Sequence, residues 1–154
     1  MNLTNEMFDE ITDSVTVVSR DEPREQDRRQ PRVKLSTYVP VISWADPSTK
    51  FGVRIRDISV GGVGIFHSER VPLDEQLVIR FPLKGDKTVL VMGTVVYWEP
   101  LAENLFGLGL QFERIVEEAE ISEQSQRTVR RQISQAGVMA RMTQAIARTW
   151  RIAS

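Results

Sequence analysis

Two short groups carry the residue types and spacing that could do chemistry in this chain. They are Arg28-Arg29-Gln30-Pro31-Arg32 and, about 25 positions later, Asp57-Ile58-Ser59-Val60-Gly61-Gly62. An arginine guanidinium is a planar fork that holds a phosphate, or the O6/N7 edge of a guanine, with two hydrogen bonds at once. Its flat face also stacks on a purine. Arg28 and Arg32 stand four apart, a spacing that can straddle a compact ligand if the segment is flexible. Arg29 between them offers a further guanidinium for a phosphate. Asp57 offers an acceptor-only carboxylate, Ser59 a hydroxyl that bridges to a second polar atom, and Gly62 a backbone that a ligand can approach closely. Plainer uses exist for each. Arg-x-x-x-Arg recurs as Arg24/Arg28, a mixed-charge run holding Pro23 and Pro31 reads as a solvated linker, and Asp-x-Ser at a strand end caps its own turn.

The remaining composition narrows the classes. The chain has 154 residues, enough for one domain of roughly 100 residues with appendages. It has no cysteine, which removes disulfides, zinc–thiolate sites, iron–sulfur clusters and cysteine nucleophiles. A single histidine, His67, removes any His–His metal pair and reads as a partly exposed structural residue. No run of 12 residues is continuously apolar, so no membrane span is expected, and the acidic start from Met1 to Glu10 argues against a signal peptide and for the cytoplasm. Ser59 lacks a Gly-x-Ser-x-Gly elbow, and Gly61-Gly62-Val63-Gly64 is not followed by Gly-Lys-Ser/Thr, so neither a hydrolase nor a P-loop is indicated. An enzyme is not expected.

The net charge of −1 conceals a division. Residues 1–27 sum to −6, residues 28–112 to +3 and residues 113–154 to +2. The span Arg20–Arg32 holds five arginines, no lysine and four acids, with no apolar residue that could bury it. It reads as an arm or linker ahead of the folded part.

From Val33 to Phe112 the hydrophobic period is two. Val33, Leu35, Thr37, Val39 and Val41 alternate with polar neighbours, with a break expected at Pro40. Further alternating runs are Phe51–Ile55, Val63–Ile65, Leu77–Phe81 and Phe106–Phe112. Val89–Trp98 is apolar on both faces and reads as a strand packed on two sides. Six short strands divided by turn clusters such as Asp46-Pro47-Ser48 predict a small antiparallel barrel or sandwich. Outside it, Leu3, Met7, Ile11, Val15 and Val18 form the stripe of a short helix, its second half weakened by β-branched residues. Beyond Phe112, Ser122 is the expected N-cap of a longer helix with Val129, Ile133, Ala136, Ala140, Thr143, Ile146 and Trp150 on one stripe. That helix either docks on the barrel or serves self-association, as a homodimer, or a protein partner. Arg127, Arg130 and Arg131 form either a solvated face or a basic patch.

The two motifs in this order, followed by an all-β run ending Trp98…Gly107-Leu108-Gly109-Leu110-Gln111-Phe112, resemble the PilZ domain family over about residues 26–115. The resemblance implies a mainly β protein, a six-stranded antiparallel barrel, here with an N-terminal extension over 1–25 and a helical C-terminal extension over 116–154. It implies a receptor for cyclic di-GMP (c-di-GMP) that has no other cofactor and binds no metal. Arg28, Arg29 and Arg32 would act from the arm, with Asp57, Ser59 and Gly62 on the barrel surface. Trp98 is either core or a ring bordering the site. Signalling would then pass through an unidentified protein partner as ligand pins the arm across the barrel. The alternatives are a PilZ-like adaptor that binds no nucleotide and, less in keeping with a near-neutral chain, a single-stranded nucleic-acid binder.

Overall fold

The computed structural model describes residues 1–15, 17–20 and 31–153. Its elements in chain order are α1 (Asn5–Asp13), β1 (Val17–Arg20), β2 (Val33–Ser43), β3 (Lys50–Ile58), β4 (Gly62–His67), β5 (Gln76–Pro82), β6 (Thr88–Ala102), β7 (Leu105–Val116) and α2 (Glu118–Ala153). All strand pairs are antiparallel, in the order β1-β2-β3-β4-β7-β6-β5, and β5 also pairs with the end of β2. That last pairing, Val41↔Ile79 to Ser43↔Leu77, closes β2–β7 into a six-stranded barrel. The fold is the one the alternation predicts, because period two gives each strand one apolar side to turn inward. Val39, Val41, Val53, Ile55, Ile65, Leu77, Ile79, Val91, Val95, Leu108 and Phe112 are all buried in one core.

Three local expectations need correction. Pro40 does not break β2, which runs unbroken opposite β3 with Pro40 facing Gly52. Its missing N–H is tolerated because the other edge of β2 is covered by β1 only at Val33–Leu35 and by β5 only from Val41 onward. The second half of the expected first helix is absent. α1 ends at Asp13, and the β-branched residues that follow lead into β1, where Val17 pairs with Leu35. Finally, α2 starts four residues before Ser122. The Glu120 carboxylate accepts the Glu117 N–H at 2.7 Å, half of a capping box, which leaves Ser122 inside the helix donating to the Glu118 carbonyl.

The two helices cover different parts of the barrel. Thr4 caps α1 by accepting the Met7 N–H, and the expected stripe buries Leu3 and Ile11, with Met7 and Phe8 alongside, into the barrel core. Leu3 also donates its N–H to the Val60 carbonyl at 2.7 Å, so α1 stands at the end of the barrel that bears the Asp57–Gly62 turn. On the outside of the wall, Ile42, Val78, Leu90, Met92 and Val116 form a second cluster against Trp44 and Ile121, which belongs to the start of α2. This is why β6 is apolar on both faces. Arg80 and Arg114 fix the same turn of α2 through Glu118 and Glu120, at 2.6 and 2.8 Å. Acids in a first turn also favour the helix dipole.

Candidate functional site

The last turn of β3 carries a bulge. Ile55 pairs with Ile65 and Asp57 with Gly64, so Arg56 is the extra residue. In a regular strand Arg56 and Asp57 would point to opposite faces; here they share the outer one. Arg56 Nε donates to Asp57 Oδ2 at 3.0 Å, and Arg32, reaching from the residue before β2, donates to Asp57 Oδ1 at 3.1 Å. Both carboxylate oxygens of a largely buried aspartate are thus held by arginines. A second bulge, between Val95 and Tyr97 in β6, turns Val96 and Tyr97 outward together. The Arg56 guanidinium donates to the Tyr97 phenol oxygen and lies 3.5 Å from Glu99. Arg32, Asp57, Arg56 and Tyr97 therefore make one continuous row across β2, β3 and β6.

Glycines form the floor beneath this row. Gly64 of β4 pairs with Gly109 of β7. A Cβ on Gly64 would lie 2.8 Å from Asp57 Oδ1 and 2.9 Å from an Arg56 nitrogen, and one on Gly109 would clash with the Tyr97 ring at its Cε1. A Cβ on Gly62 would lie 2.5 Å from the Leu110 carbonyl oxygen. These glycines are required by close approach of side chains and backbone.

The Asp57–Gly62 turn is held from within. The Ser59 N–H donates to the Gly62 carbonyl at 2.9 Å and the Ser59 hydroxyl lies 3.4 Å from the same oxygen. Phe112 donates to Gly61, fastening the turn to β7. The plainer, turn-capping reading of Ser59 thus describes its bonds. Even so, Ser59 and Gly62 line a cleft of about 320 Å³ with Arg32, Val96, Tyr97 and Gln111.

Of the residues singled out from sequence, the structure brings Arg32, Asp57, Ser59 and Gly62 together. Arg28, Arg29 and the alternative Arg24 lie outside the described residues. Trp98 does not join the cleft. It packs against the barrel core, edge-on to Phe106 at 6.0 Å, with the Arg70 guanidinium 4.1 Å from its ring centre. Of the two uses open to Trp98, the geometry is that of a core ring, and its neighbour Tyr97 takes the place beside the cleft. Arg56, Tyr97 and Gly64 were not picked out from sequence. Their signal is a pair of side chains breaking the alternation of a strand, opposite glycines at alternate positions. His67 stacks on Phe51 at 4.6 Å, and burial lowers its pKa, partly opposed by Glu69.

The molecule belongs to the class of small closed β-barrel domains, with a glycine-floored, arginine-bearing cleft on its outer wall. The PilZ domain family model matches residues 26–135, and the chain belongs to that family. No curated protein matches it by sequence. Among solved structures it is similar to MrkH of K. pneumonia in complex with c-di-GMP, at 14% identity and a TM-score of 0.46, over 81% of this chain and 66% of that one. It is also similar to the Bacillus subtilis inhibitor of motility MotI/DgrA, at 18% identity and a TM-score of 0.45, over 73% and 57%. The chain spans less than two thirds of either protein. No helix among the described residues is long and apolar enough to cross a membrane.

Proposed function

We propose that this protein is a non-enzymatic receptor for c-di-GMP, bound in the cleft over Gly62 and Gly109. The observation that carries this reading is the ion pair between Arg32 and Asp57, which joins the arginine motif to the Asp-x-Ser-x-x-Gly motif. Arg32 is half exposed and spends one nitrogen on Asp57, leaving the rest of its fork available beside the cleft. Arg56 holds the other Asp57 oxygen, so Asp57 keeps a counter-ion when Arg32 turns to a phosphate or a guanine edge. Arg28 and Arg29 then close over the dinucleotide from the arm, whose acids Asp21, Glu22, Glu25 and Asp27 neutralise it in the free state. Pinning the arm changes the surface the arm presents beside the barrel and signals through contacts with a partner protein.

One observation favours the second reading, an adaptor that binds no nucleotide. With each Asp57 oxygen already bonded to an arginine, a guanine N–H edge must share that carboxylate with them or displace one. Titration of the full chain with c-di-GMP, beside GTP and cyclic GMP as controls, separates the two. Saturable binding of the cyclic dinucleotide alone supports the receptor, and no binding supports the adaptor.

A further inference from the structure

Past Thr128 the long helix α2 leaves the barrel. Its first turns are anchored by Ile121 in the outer cluster and by Gln124 and Thr128, which donate to the Trp44 and Ala45 carbonyls at 3.0 and 3.3 Å. Downstream, Ile133 is 67% exposed, Met139 63% and Met142 55%. The docked helix expected as one alternative therefore holds only for these first turns. At 3.6 residues per turn, Val129, Ile133, Ala136, Met139, Ala140 and Met142 fall in one half of the circumference, and Arg127, Arg130, Arg131 and Arg141, with Val138 among them, in the other. After Glu123 the chain has six arginines and no acid, while the preceding residues sum to −7.

We propose that α2 beyond Thr128 lies along an anionic lipid bilayer surface. Its aliphatic and methionine side enters the headgroup–acyl boundary, and its arginines reach the lipid phosphates. The charge decides the occupant. A surface of negative headgroups complements a helix segment with five cations and no acid, and an exposed apolar side supplies the second half of interfacial binding. A second copy of the same segment carries the same positive charge and offers no carboxylate to offset it. Long arginine stems can lie along the boundary with their charged heads in the headgroup layer. The helix lies on the bilayer and does not span it. This inference is independent of the nucleotide reading.

Sedimentation of the full chain with vesicles of phosphatidylglycerol and phosphatidylcholine, against phosphatidylcholine alone, tests it. Binding to the anionic vesicles that weakens as salt rises is expected. Each arginine near an anionic surface contributes about fivefold, so Arg130→Gln with Arg141→Gln should lower the partition coefficient about 30-fold. Met139→Glu with Met142→Glu should abolish binding. All four positions are exposed, so the barrel's melting should not change. Equal binding to both vesicle types, no binding, or variants that bind as wild type overturns the proposal. A lipid-free dimer that the methionine variant dissociates, with no vesicle binding, overturns it in favour of self-association.

Discussion

Arg56 and Asp57 are consecutive in sequence, yet their side chains meet on one face of β3, Arg56 Nε 3.0 Å from Asp57 Oδ2. The bulge that permits this sits opposite Gly64, and the missing Cβ at Gly64 leaves the space in which the pair forms. With Arg32 on the other oxygen, one aspartate orients two arginines that come from different strands or their approach. In so buried a pair the cost of desolvating both charges offsets much of their attraction, so the net stability added is modest. Its greater consequence is to fix where the forks point.

Gly64→Ala forces a methyl against Asp57 and Arg56. It should cost about 1–3 kcal/mol in denaturant unfolding, as overpacking does, and weaken c-di-GMP binding. Gly52→Ala, with nothing within 4 Å of the added carbon, is the matched control and should leave both measurements near wild type.

Tyr97 fixes the far end of the Arg56 fork. Tyr97→Phe keeps the ring over Gly109 and removes the hydrogen bond, so unfolding should become easier by about 0.5–1 kcal/mol. In a double-mutant cycle with Arg56→Ala most of that effect should vanish, since the two changes remove one interaction. Additive effects would show that the bond contributes nothing.

His67 gives the fold a pH dependence of known sign. Burial favours its neutral form, so the folded state holds a proton less tightly than the unfolded chain, whose histidine titrates near 6.5. Above that value His67 costs nothing. As pH falls through 6.5 toward the lower folded pKa, the unfolded state gains the proton first and stability drops. Urea unfolding between neutral and mildly acidic pH should show this decline. His67→Phe, which retains a ring against Phe51, should flatten it.

The barrel is readable because β2–β5 and β7 alternate, and alternation has one physical cause, a strand with one buried side; β6, covered on both sides, is instead apolar on both faces from Val89 to Met92. Where that cause failed, so did the reading. Pro40 looked like a break because the sequence does not show that one edge of β2 is open at that point. The run after Asp13 was assigned to a helix by its spacing, although its β-branched residues become β1. At the site, Arg32, Asp57, Ser59 and Gly62 were legible as motif residues. Arg56 and Tyr97 were not, because bulges decide which face a residue takes, and a bulge depends on the partner strand. Gly64 carries no signal of its own in sequence, because its role depends on the Asp57 and Arg56 side chains that cross it. The start of α2 was misplaced at Ser122 because Glu120 caps the helix through Arg114 and the Glu117 N–H, contacts set by β7.

The central claim is that the arginine motif and the Asp57 turn hold one c-di-GMP between them. Calorimetric titration of c-di-GMP into wild type, Arg28→Ala and Arg32→Ala tests it most directly. A charge-assisted contact of about 1.5–3 kcal/mol corresponds to about a 10- to 150-fold loss of affinity. Because Arg32 is half exposed, the lower end of that range is expected for Arg32→Ala, with a loss of at least similar size for Arg28→Ala. Wild-type affinity in both variants would contradict the account.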